Sequence, residues 1–142
     1  MYKNILLSVD LTDSSSWRNA LPFAVEYCQA MGATLHLMTV VPDYGMTVVG
    51  QFFPEDYEKK AIVQARHELR ELSTAHVPAG VEVLHIVAYG TIYQEILNAA
   101  KSVNADLIVI ASHRPELKDY LIGPNAARVM RHATRSVLVV RD

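Results

Sequence analysis

Five short, almost wholly apolar runs alternate along this chain with four stretches whose apolar residues recur at three- and four-residue steps, and that alternation restricts the fold more than any other feature. Ile5-Leu6-Leu7-Ser8-Val9 opens the series, and the others are Thr34 to Val41, Val81 to Ala88, Leu107 to Ala111 and Val137 to Val140. Runs this apolar suit strands covered on both faces, as in a parallel sheet, rather than strands with one wet face. Between them, Trp17, Ala20, Leu21, Ala24, Val25, Cys28 and Met31 mark a first helix stopped by Gly32, with Pro22 expected near its first turn. Ile62, Ala65, Leu69 and Leu72 mark a second helix with a charged outer face. Gly90 turns the chain, and Thr91 can cap a third helix carrying Ile92, Ile96, Leu97 and Ala100. A fourth runs from about Asn125 to Ala133 with Val129 and Met130 inward.

Strict strand–helix alternation implies right-handed crossovers and a doubly wound α/β fold: a five-stranded parallel sheet of order 3-2-1-4-5 with helices on both faces. In such a sheet the chain reverses between strands one and four, and ligands bind outside the carboxyl ends of the strands at that switch point. Two loops converge there, Val9 to Ser16 and Ala111 to Asn125. With 142 residues and no low-complexity tract, residues 1–142 are expected to form one domain.

Composition excludes several classes. A formal charge of −2 offers no field to gather nucleic acid or an anionic membrane, and no apolar run approaches the ~20 residues of a membrane helix. The single cysteine, Cys28, and the absence of a signal-peptide pattern point to a reducing, cytoplasmic setting. The histidines His36, His67, His76, His85 and His132 show no ligand spacing and read as strand and helix surface residues, so no metal set is expected. No G-x-S-x-G elbow, Walker lysine loop or G-x-G-x-x-G follows a strand.

What remains is a candidate anion site. Gly123-Pro124-Asn125 stands where a loop becomes helix four, and a helix start presents unpaired N–H groups and the positive end of the dipole. The same residues also read as plain loop punctuation, with Pro124 at the first helical position. His113, Arg114 and Lys118 lie in the loop before it and Arg128 one turn into the helix, so cations gather there or form a solvated loop. Asp10 follows strand one into the same crevice. Its carboxylate can take ribose hydroxyls, or Asp10 or Asp13 with Ser14 to Ser16 can cap helix one.

These residues in combination resemble the universal stress protein family over nearly the whole chain. The resemblance lies in Ile5-Leu6-Leu7-Ser8-Val9-Asp10, Val40-Val41-Pro42, Ala88-Tyr89-Gly90 and, most specifically, the tail. There, Ala111-Ser112-His113-Arg114-Pro115, Tyr120 to Ala127, Arg131-His132-Ala133 and Ser136 to Arg141 are similar to the small single-domain F/G-type bacterial branch. ATP-binding members carry G-x-x-G-x9-G-[ST] between strand four and helix four. Here Ala111 and Arg114 stand where the first two glycines belong, the spacer to Gly123 is one residue shorter, and Pro124 replaces Ser or Thr, losing a hydroxyl and an N–H.

The resemblance implies a stress-response regulatory protein that binds an adenine nucleotide, ATP or AMP, with Mg²⁺ accompanying ATP. By carry-over, Val9 and Val40 or Val41 line the adenine pocket and Asp10 holds the ribose. Ala111, His113, Arg114, Gly123, Asn125 and Ala126 surround ribose and phosphates. The competing reading is a dimeric adaptor or chaperone-like protein without nucleotide. A weak ATPase would require a base for water, for which His113 is the nearby candidate. Tyr44 to Phe53 is apolar and is expected to fold beside the adenine pocket and order on binding. The last strand, Val137 to Val140, is expected at a bare sheet edge, which favours a homodimer joined through it, with an unidentified regulatory protein as further partner.

Overall fold

The computed structural model describes residues 1–42, 56–112 and 123–141. Its strands are β1 (Asn4–Ser8), β2 (Thr34–Pro42), β3 (Val83–Gly90), β4 (Leu107–Ala111) and β5 (Ser136–Val140), and its helices α1 (Ala20–Met31), α2 (Tyr57–His76), α3 (Ile92–Ser102) and α4 (Pro124–His132). The strands form one sheet in the order β3-β2-β1-β4-β5, every neighbouring pair parallel. This is the expected topology, and it puts the switch point between β1 and β4.

Side-chain alternation divides the core into two layers. Ile5, Leu7, Leu35, Leu37 and Val109 point to one face, where Leu21, Ala24 and Cys28 of α1 and Leu69 of α2 cover them. Leu6, Met38, Ile108 and Ile110 point to the other, under Ile96 and Ala100 of α3 and Ala126 and Val129 of α4. Both faces of the central strands are therefore dry, which is why β1 shows no polar alternation. Each fully buried leucine or isoleucine contributes about 1.5–3 kcal/mol relative to an exposed one.

Local signals set the helix ends. Gly32 closes α1 in the left-handed conformation at φ 66°, its N–H donating to the Cys28 carbonyl at 2.9 Å. Pro22 occupies the third residue of α1, inside the first turn, where a missing N–H costs nothing. Pro124 takes the first position of α4, as expected. Thr91 holds the N-cap position of α3 with extended dihedrals but without a side-chain capping bond.

Some expectations need correction. β3 begins two residues later than the apolar run, because Val81 is buried from a turn in which its N–H donates to the Pro78 carbonyl. Met31 and Met130 lie outside the buried stripes of their helices and are exposed. His36 is not a surface residue: it is buried in β2, with Nε2 3.2 Å from Asn4 Oδ1 and Nδ1 without a partner among the described residues. Burial pushes its pKa below 6.5, against the opposing pull of Glu82. His85 in β3 is half-buried with an unpartnered Nε2, and burial together with Arg70 lowers its pKa as well. Among the described residues no helix is long and apolar enough to cross a membrane.

Candidate functional site

The carboxyl ends of β1, β2 and β4 open into a cleft of about 410 Å³, closed on one side by the start of α4 and on another by α2 between Tyr57 and Glu68. A parallel sheet makes such a recess at its switch point because the connections after β1 and β4 leave toward opposite faces. The cleft brings together Val9, Asp10, Val40, Val41, Ala111, Gly123, Asn125 and Ala126, all the sequence-derived site residues that are described. His113, Arg114 and Lys118, and the segment Tyr44 to Phe53, lie outside the described residues.

The floor is fixed by main-chain bonds across the strand ends. Val9 N–H donates to the Met38 carbonyl at 2.9 Å, and the buried Thr39 hydroxyl donates to the Val9 carbonyl at 2.8 Å. Ser112 N–H donates to the Val140 carbonyl at 3.1 Å. Asp10 therefore leaves the sheet from a rigid anchor.

The loop after β1 separates the two aspartates. Asp10 is exposed to the cleft, and its Oδ1 accepts from the N–H and hydroxyl of Thr12 at 2.9 and 2.7 Å, a local turn that orients the carboxylate. Asp10 N–H donates to Ser16 Oγ at 2.8 Å. Asp13 instead caps the short 3₁₀ turn Ser14–Ser16, its Oδ1 accepting from Ser15 N–H at 3.0 Å and Ser15 Oγ at 2.7 Å. Neither aspartate caps helix one, a role the sequence allowed: α1 has Asn19 at its N-cap without a side-chain capping bond, Asp13 caps only the 3₁₀ turn, and Asp10 faces the cleft.

At the opposite wall, Gly123 is the N-cap of α4, and Ala127 N–H donates back to its carbonyl at 3.0 Å. Pro124 brings no donor, so the N–H groups of Asn125 and Ala126 carry the positive end of this helix into the cleft. Arg128 does not join them. Its guanidinium lies over the ring of Tyr93, 5.3 Å from the centroid.

Among the lining residues missed in the sequence are Tyr57, Ala65 and Glu68 of α2. With Ala61 they follow four-, four- and three-residue steps, one helix stripe, and the antiparallel return of α2 carries that stripe to the strand ends. Glu68 Oε1 accepts from Gln64 Nε2 at 3.0 Å. Among the described lining residues the charged side chains are Asp10 and Glu68, and none is a lysine, arginine or histidine. No group of three His, Cys, Asp or Glu among the described residues is placed to hold a metal ion.

Comparison with known proteins adds to this geometry. A model of the universal stress protein family matches residues 1–141. Universal stress protein G of Escherichia coli O157:H7 is 28% identical over 99% of this chain and 100% of its own length. Among solved structures, a universal stress protein in complex with cAMP superposes with a TM-score of 0.69 at 22% identity, covering 99% of this chain and 97% of that one. The universal stress protein from Archaeoglobus fulgidus in complex with dAMP gives 0.61 at 21% identity, covering 97% of each chain.

Proposed function

This chain belongs to the universal stress protein family, and from that premise we propose that it acts as a stress-response regulatory protein by binding an adenine nucleotide in the cleft between β1 and β4. The observation that carries the reading is the convergence of Asp10 and the start of α4 on one recess of about 410 Å³. That volume lies within the roughly 300–1,000 Å³ of small-molecule sites. The relatives in complex with cAMP and dAMP support the ligand class.

The lining suits the parts of a nucleotide. Val9, Val40 and Val41 offer apolar surface to the flat base. Asp10, held by Thr12, accepts from the ribose hydroxyls. Ala111 lets the sugar approach the end of β4, and Gly123, Asn125 and Ala126 present backbone donors to phosphate. His113 and Arg114, in the connection between Ser112 and Gly123, complete the phosphate side in this reading.

A homodimer through β5 belongs to the same proposal. β5 is the terminal strand of the sheet, with Val137 to Val140 half-buried, so its open backbone groups suit a second copy.

Calorimetric titration with AMP, ATP and GTP tests the function, with the protein first stripped of any co-purified nucleotide. Saturable binding of an adenine nucleotide, weaker for GTP, is the expected result. No heat and no competition from any of the three would leave a nucleotide-free adaptor as the reading.

A further inference from the structure

We infer that the hydroxyls of Ser8 and Ser112 bind the phosphate from the sheet side of the cleft, donating to the anion that the start of α4 holds, an inference that rests on the nucleotide reading above. Three observations carry it. Ser8 and Ser112 are each only 8% exposed, and both line the cleft. Among the described residues neither hydroxyl is hydrogen-bonded, whereas those of Thr12, Ser16 and Thr39 around the same cleft are engaged by Asp10, Asp13 and Val9. Both serines also lie on the sheet face that α4 covers.

Strand alternation gives that placement. β1 puts Leu7 on the α1 face and Leu6 under α3 and α4, so Ser8 returns to the α4 side, level with Met38 of β2. β4 repeats the pattern with Ile108 and Ile110 ahead of Ser112. Ile5 pairs with Leu107 and Leu7 with Val109, which sets Ser8 beside Ile110 and Ser112 one alternate residue further toward the carboxyl end. Ala126, in the first turn of α4, packs in the same layer as Leu6, Met38 and Ile110. The helix start and the two serines therefore face one corner of the recess.

A hydroxyl inside an otherwise dry strand needs an acceptor, and the cleft is the open side from which one arrives. A phosphate group carries three strong acceptor oxygens, more than the N–H groups of Asn125 and Ala126 can satisfy. Pro124 brings neither an N–H nor a hydroxyl to the helix start. Ser8 and Ser112 supply neutral donors from the opposite side, beside the charge that His113 and Arg114 bring in the same reading. Both are held in advance, Ser8 by the β1 ladder and Ser112 by the bond from its N–H to the Val140 carbonyl, so little freedom is lost on binding.

Ser8→Ala and Ser112→Ala test this, with AMP titrated by calorimetry and adenosine by amide NMR at high protein concentration. Each variant is expected to bind AMP about tenfold more weakly, the loss of one hydrogen bond to a charged group, and adenosine as the parent does. The melting temperature without ligand should hold or rise, because alanine removes a buried hydroxyl and leaves nothing unpaired. Unchanged AMP affinity in Ser8→Ala would overturn the inference. An equal loss of affinity for adenosine would overturn it as well, since the hydroxyls would then serve the sugar or the base. So would a lower melting temperature with AMP affinity kept, which would make the serines structural. Failure of the parent to bind either compound would instead overturn the nucleotide reading itself, and this inference with it.

Discussion

Asp10 and Asp13 lie three residues apart in one loop, yet their bonds assign them different roles, and substitution separates them. Asp10→Asn keeps an oxygen for the Thr12 N–H but loses the charge offered to the ribose. Hydrogen bonds to a charged group contribute about 1.5–3 kcal/mol, so AMP affinity should fall tenfold or more with little change in melting temperature. Asp13→Ala removes the cap on Ser15 and should lower stability by about 0.5–2 kcal/mol while leaving the affinity near that of the parent. Calorimetry and thermal melts on both variants check the pair, and the reverse pattern would contradict the assignment. The two interior histidines carry a second residue-scale consequence. His36 and His85 have folded pKa values below their ordinary 6.5, so between the two values the unfolded chain binds protons that the folded chain does not. Stability is then complete above about pH 6.5 and is lost as pH falls from there toward the folded values. Glu82 beside His36 moderates this loss, and Arg70 beside His85 adds to it. Urea midpoints measured from pH 8 to pH 5 should fall below pH 6.5, with a shallower fall in His36→Leu. Equal slopes in that variant and the parent would remove His36 from the account.

At the scale of elements, Gly90 joins β3 to α3 at φ +148°, and a Cβ there would lie 2.9 Å from Glu95 Oε1. Gly90→Ala should therefore cost about 1–3 kcal/mol in denaturant unfolding. Gly80, with nothing within 4 Å of an added Cβ, should accept alanine at no cost, and equal effects at the two sites would refute the strain argument. The strands and their order were legible because central strands dry on both faces leave unbroken apolar runs such as Ile5 to Leu7. The start of β3 was less so, since Val81 and Val83 are both apolar and only packing decides which one starts the strand. His36 was misread because a polar residue inside an apolar strand shows no sign of which neighbour shields it. Val9, Asp10 and the Gly123 turn were legible as ends of strands and starts of helices, the places where α/β sheets bind ligands. Glu68 was not, because its contribution depends on how far α2 leans over β2, a matter of tertiary packing that periodicity does not record.

For the whole molecule, the sheet order leaves β3 and β5 as its two edges. β5 is short, apolar and without lysine, so the proposal expects a dimer of the 15.8 kDa chain. Sedimentation equilibrium at micromolar concentration should give twice the chain mass, and a monomer would reject a constitutive dimer. Nucleotide binding at the switch point joins every scale: the carboxylate of Asp10, the start of α4 and the crossover that separates β1 from β4. The most direct test is to follow every backbone amide by NMR during titration with AMP. The account expects the largest shifts in Val9 to Thr12, at Ala111 and Ser112, and in Gly123, Asn125 and Ala126, all at the carboxyl ends of the strands. Shifts concentrated instead around Lys3, Thr34 and Asp106 at the opposite end of the sheet, or none at saturating AMP, would contradict it.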